Sequence, residues 1–122
     1  MRDFTLVSIF VLSFASTAHA QALTVEEMLP HCETALGEGR KHVMNGWCMG
    51  TIEGLGVIMT INCAEGGVKG NLPYSLSMQS FPSVTAGAQA FVNWARSNPT
   101  RWGERFSFGA AMALSETWPC EN

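Results

Sequence analysis

Aspartate is almost missing from this chain. Asp3 is the only one in 122 residues. Beyond it, Ser-His-Asp triads, aspartyl dyads and EF-hand loops are excluded. Basic charge is also scarce: Lys and Arg number 7 against 10 Asp and Glu, for a net charge of −3. Nucleic-acid binding needs a basic footprint, and none is present. Charged residues make up 14% of the chain, against about 25% in ordinary domains. No Cys-x-x-Cys pair occurs, so neither a thioredoxin-like redox motif nor a zinc knuckle is supported. No internal repeat or low-complexity tract is visible. Four tryptophans and an apolar share of 47% separate the chain from disordered acidic tails.

What is present begins with a leader. Arg2 supplies a short positive region, Phe4 to Phe14 is apolar, and Ala18-His19-Ala20 is a small-x-small cleavage site. Residues 1–20 therefore read as a secretory signal, leaving 21–122 as one domain. The apolar leader is too short to span a bilayer, which takes about 20 residues. No later hydrophobic run is read as reaching that length, so no membrane association is expected after cleavage. Cys32, Cys48, Cys63 and Cys120 all follow the leader. An even count behind a secretory signal implies two disulfides in an oxidising compartment. A zinc site from His31, Cys32 and Cys48 is the weaker reading.

Four helices are predicted. Thr24-Val25-Glu26-Glu27 is a capping box that opens the first. Met28, Leu29, Cys32, Ala35 and Leu36 follow its period, Pro30 should kink it, and Gly37 is a stop. Gly37 to Asn45 reads as a polar loop. Gly46 to Ile61 reads as the second helix, with Trp47, Met49, Ile52, Leu55, Ile58 and Met59 recurring at three- and four-residue steps. Gly46, Gly50 and Gly54 form a stripe that suggests close approach of another backbone, either inside the core or as a binding groove. Ser83 caps a third helix with Val84, Ala88, Phe91, Val92 and Ala95 on one face. Asn98-Pro99 reads as N-cap and N1 of a fourth helix, with Trp102, Phe106, Ala110, Ala113 and Leu114 buried. Pro119 ends it. The fold class is all-α: a small four-helix domain stapled by two disulfides, with one long irregular loop.

That loop spans Asn62 to Ser83. Leu72, Tyr74, Leu76 and Met78 alternate with Pro73, Ser75, Ser77 and Gln79, a strand period that Pro73 confines to an edge. Loops this long in small domains are often functional. Tyr74, Leu76, Met78 and Phe81 are the candidate partner-binding residues; the competing reading is a lid folded over the helices. Arg40, Lys41 and His42 form a small basic cluster, most simply a solvated turn. Arg96, Arg101, Glu104 and Arg105 are charges near helix ends that could form a polar rim. Glu53 reads as exposed, and the tryptophans as core or rim packing. No catalytic residue, cofactor or metal ligand is assigned.

Three cysteine pairings are open. Cys32 lies late in the first helix and Cys48 early in the second, so a helical hairpin joins them. Cys63 follows the second helix and Cys120 the fourth, and these ends meet if the last two helices pair beside the first hairpin. Cys32–Cys48 and Cys63–Cys120 are therefore predicted.

Cys48-Met49-Gly50-Thr51-Ile52-Glu53-Gly54 resembles the C-x-G-[aromatic]-I-x-G segment of the Rap/Tai family, immunity proteins against type VI-secreted peptidoglycan amidases. Cys63, Pro82-Ser83-Val84-Thr85, Pro99, Ala113-Leu114 and Trp118-Pro119-Cys120 resemble its later landmarks. Thr51 stands where the family has an aromatic, and the stretch from Cys63 to Pro82 is longer than usual. The resemblance implies a periplasmic all-α domain, dimeric in many members, that holds a protruding segment in the amidase cleft and performs no chemistry itself. The other reading is a periplasmic module that binds a small ligand or another protein, with no toxin involved.

Overall fold

The computed structural model describes residues 22–66 and 76–121. The leader, residues 1–20, lies outside them. Among the described residues there are four α-helices: α1 (Val25–Glu38), α2 (Val43–Ala64), α3 (Val84–Ser97) and α4 (Phe106–Thr117). No strand is found among the described residues; two isolated bridges, Thr24 with Arg105 and Met78 with Pro119, are the only extended pairings there.

The helix starts follow local chemistry. At α1 the Thr24 hydroxyl accepts from the Glu27 amide at 3.2 Å, and the Thr24 amide donates to the Glu27 carboxylate at 2.8 Å. This reciprocal pair satisfies two donors that no helical carbonyl can reach. The helix runs through Pro30 to Glu38, and its stop is Gly39 rather than Gly37. Gly39 sits at φ 62°, a left-handed backbone that glycine adopts without a Cβ clash. At α3 the Ser83 hydroxyl accepts from the Ala86 amide at 3.1 Å.

The fourth helix departs from expectation. Pro99–Arg101 forms a 3₁₀ turn, and α4 begins at Phe106, so Trp102 is not part of it. Proline fixes φ equally well for either kind of turn. The Asn98 side chain does not cap α4; it donates to the Trp94 carbonyl at 2.8 Å and closes α3. The segment between α3 and α4 then caps α1. The Val25 amide donates to the Glu104 carbonyl at 2.9 Å, and the Glu26 amide to the Trp102 carbonyl at 3.1 Å. The Phe106 amide returns to the Leu23 carbonyl at 2.8 Å.

Met28, Ile52, Met59, Met78, Phe91 and Leu114 are the largest apolar side chains wholly enclosed in the core. Phe91 and Phe106 meet edge to face with centroids 4.9 Å apart, a preferred aromatic geometry. Both predicted disulfides are present, Cys32–Cys48 and Cys63–Cys120. Their sequence separations are 16 and 57; on the loop-entropy account these contribute about 3 and about 4 kcal/mol.

α2 starts earlier and ends later than Gly46 to Ile61. Asn45, read as loop, is buried, and the helix covers 22 residues. It is long and apolar enough by length and composition to cross a membrane, a run the sequence reading did not count. Its inner face, with Cys48, Met49, Ile52, Gly56, Met59 and Asn62, is part of the core.

The glycine stripe is not in that core. A Cβ built at Gly46 or Gly54 meets nothing within 4 Å, and at Gly50 only the Arg40 guanidinium at 3.8 Å. The glycines that do allow close packing are others. At Gly56 a Cβ would sit 2.8 Å from the Phe81 ring, and at Gly87 2.6 Å from Ile52 and 2.9 Å from Phe81. At Gly109 it would sit 2.5 Å from Val25. Phe81 is thus wedged where α2 and α3 pass each other. Gly87→Ala should lower stability by about 1–3 kcal/mol through overpacking. Gly37→Ala, with open space around it, should change stability by less than about 0.5 kcal/mol or raise it. Equilibrium urea denaturation of the two variants checks the contrast.

Candidate partner-binding surface

The strap Leu76–Phe81 leads from the segment after α2 into α3. It is held along its length. The Asn62 side-chain amide donates to the buried Ser77 hydroxyl. The Met78 amide donates to the Met59 carbonyl at 3.3 Å, and the Gln79 amide to the Trp118 carbonyl at 3.0 Å. Cys63–Cys120 joins the end of α2 to the tail that pairs with Met78.

This geometry sorts the four candidate residues. Met78 has no exposed surface, so its assignment to a partner contact is corrected: it is a core side chain, placed there by the bonds on either side of it. Leu76 and Phe81 are half-buried against the core. Phe81 keeps one part of its ring in an open groove of about 300 Å³ that it lines with Gly56, Val57, Thr60 and Ile61. Tyr74 lies outside the described residues. The segment that carries it, 67–75, has fixed anchors on both sides, the Cys63 disulfide and the buried Ser77–Met78 pair.

A larger feature escaped the sequence reading. The outer face of α2 exposes Val43 (87%), Trp47 (54%), Val57, Ile58 and Ile61. Trp47 and Ile58 belong to the same periodic series in the sequence as Met49, Ile52 and Met59, yet they lie on the exposed face while those three are buried. A helix apolar on every side reads as a buried helix, and α2 is apolar on both faces. The stripe of glycines was the one sign in the sequence that distinguished them.

Several charged groups pair at the surface. Arg40 donates to Glu53 at 2.7 Å, and His42 lies 3.1 Å from Glu38. Arg96 bridges α3 to Glu33 of α1 at 2.8 Å. Arg101 grips Glu104 through two bonds of 2.9 and 3.1 Å and lies over Trp94 and Phe108. Exposed pairs of this kind contribute about 0–1 kcal/mol each; they orient side chains more than they stabilise. A second depression of about 290 Å³ lies between α3 and α4, lined by Asn93, Trp94, Ser97, Glu116 and Thr117 among others. The indole N–H of Trp94 is buried without an acceptor. Among the described residues no cluster of three His, Cys, Asp or Glu could hold a metal.

Met78→Ala should cost about 2–5 kcal/mol in equilibrium unfolding, as for a fully enclosed side chain. A smaller cost than that would return Met78 to the surface. No family model matches the chain, and neither a curated protein nor a solved structure is significantly similar to it.

Proposed function

We propose that this chain is a periplasmic immunity-type protein that binds a type VI-secreted peptidoglycan amidase and occludes its active cleft. The observation that carries the reading is the fixing of the residues on either side of segment 67–75, Cys63 by its disulfide and Ser77–Met78 by burial. A rigid all-α frame, closed by the two disulfides that the family resemblance accommodates, holds both ends of an extra segment containing Tyr74, Pro73 and Leu72. An inhibitor needs a segment presented from a stiff scaffold, because ordering it before contact removes an entropic cost of binding. Tyr is enriched at such contacts. Leu76 and Phe81 flank it with partly exposed apolar surface. The protein itself performs no chemistry in this scheme and needs no cofactor.

The leader-like N-terminal sequence and the two disulfides support a periplasmic site of action, where a cell-wall-cleaving enzyme would arrive. A second reading, a small-ligand module, draws support from the α3–α4 depression. The two readings use different residues, so substitutions separate them.

The direct test uses a secreted amidase with a Cys-His catalytic pair encoded beside this chain. The purified protein should co-purify with it and suppress its cleavage of peptidoglycan. Tyr74→Ala should weaken inhibition at least tenfold with an unchanged melting temperature. A protein that neither binds nor protects against such an enzyme, or a Tyr74→Ala variant that inhibits fully, contradicts the proposal. Glu116→Gln, in the α3–α4 depression, should leave inhibition unaltered.

A further inference from the structure

The start of α2 carries a chemically labile pair of residues that partner binding does not use. Asn45–Gly46 is the one place in the chain where asparagine precedes glycine; Asn62, Asn71, Asn93 and Asn98 are followed by Cys, Leu, Trp and Pro. Asparagine is a thermolabile residue. Glycine has no side chain to shield its backbone nitrogen, and its backbone reaches angles closed to other residues. In a free chain the Gly46 nitrogen can therefore attack the Asn45 side-chain carboxamide. A bond forms between that nitrogen and the Asn45 Cγ, closing a cyclic imide. The Asn45 Nδ2 departs with the Gly46 amide proton as ammonia. Water then opens the ring at either carbonyl. The product is aspartate or, with the main chain rerouted through Cγ, isoaspartate. Water is the only co-reactant.

The folded chain blocks this chemistry through its backbone. The Gly46 amide donates to the His42 carbonyl at 2.9 Å. That bond engages the attacking nitrogen and keeps Asn45 helical, a backbone in which the nitrogen cannot swing onto Cγ. Asn45 is 1% exposed, so the water that opens the ring is also kept away. The side chain itself adds little: its Nδ2, the leaving nitrogen, has no acceptor among the described residues. Protection therefore rests on closure of the helix start. That start has little local support. The N-cap His42 makes no side-chain cap bond, and the first turn holds no acidic residue. The opening amides of a helix lack helical acceptors, and an uncapped first turn opens most easily. What holds it is Cys48, three residues beyond Asn45 and a neighbour on the same side of the helix. Its disulfide to Cys32 ties this turn to α1, and both cysteines are wholly buried. Cys63–Cys120 lies at the other end of α2.

We propose that Asn45–Gly46 is a concealed deamidation site gated by the Cys32–Cys48 staple. With the staple closed, the amide persists. Without it the first turn of α2 opens and the imide forms. The product does not return to the native packing. Isoaspartate lengthens the main chain by one carbon and removes the register of the Gly46–His42 bond. Aspartate places a carboxylate where water is excluded, which is costly without a partner. A copy that fails to close this disulfide is thereby withdrawn from the folded pool irreversibly. The proposal stands or falls apart from the amidase reading.

Peptide mapping by mass spectrometry, after incubation in mildly alkaline buffer, tests it by the conversion of amide to acid at each asparagine. In the reduced, urea-unfolded chain Asn45 should convert before any other asparagine. In the native oxidised protein it should convert at least about tenfold more slowly, a factor that a small opening free energy already supplies. Cys32→Ala/Cys48→Ala should convert at close to the unfolded rate, and Cys63→Ala/Cys120→Ala at close to the native rate. Gly46→Ala, with open space around the new methyl, should stay folded and suppress conversion in every state, because the methyl hinders the attack. An unfolded chain that spares Asn45 overturns the site. A native protein that converts as fast as the unfolded chain overturns the concealment. Equal rates in the two disulfide variants overturn the gating by Cys32–Cys48.

Discussion

One crosslink and one buried side chain hold the strap between α2 and the C-terminal tail. Cys63–Cys120 ties the end of α2 to the C-terminal tail. The strap around Met78 runs between these two, bonded to the Met59 carbonyl of α2 and the Trp118 carbonyl of the tail. Met78 thereby fills the core from outside any helix, and Phe81 follows it into the gap made by Gly56 and Gly87. A chain of this size has limited apolar surface to bury. Drawing an irregular segment into the core adds to that surface, and the disulfide holds the layers on either side.

Much of the frame was legible from the residues. Thr24 with Glu27, and Ser83 alone, mark helix starts because their side chains accept bonds from backbone donors that would otherwise lack partners. The cysteines paired as helix-end geometry required. The fourth helix was misplaced because Asn98-Pro99 satisfies the rules for any turn of helical sense, and only the tertiary bonds from Val25 and Glu26 decide which forms. The strap was half legible. Its alternation marked it as extended, but period alone does not say which side of an extended segment meets the core. Met78 turned out to be an interior residue for that reason.

α2 shows the sharper limit. Its apolar residues occupy both faces, so no single stripe emerges from the sequence. Glycines at i, i+4 and i+8 suggested a close neighbour, and the expected neighbour was within the chain. The structure puts core-contact glycines at 56, 87 and 109 and leaves 46, 50 and 54 outside. Local pattern records that a close approach is allowed; it does not record who approaches.

Hydrogen exchange of the Met78 and Gln79 amides tests the clamp most directly, comparing the native protein with a Cys63→Ala/Cys120→Ala variant. These amides should be as protected as the centres of α2 and α3 when the disulfide is intact. In the variant they should exchange much faster, while Phe91 and Val92 in α3 retain their protection. Equal protection of Met78 with and without the crosslink would contradict the account, because the strap would then be held by burial alone.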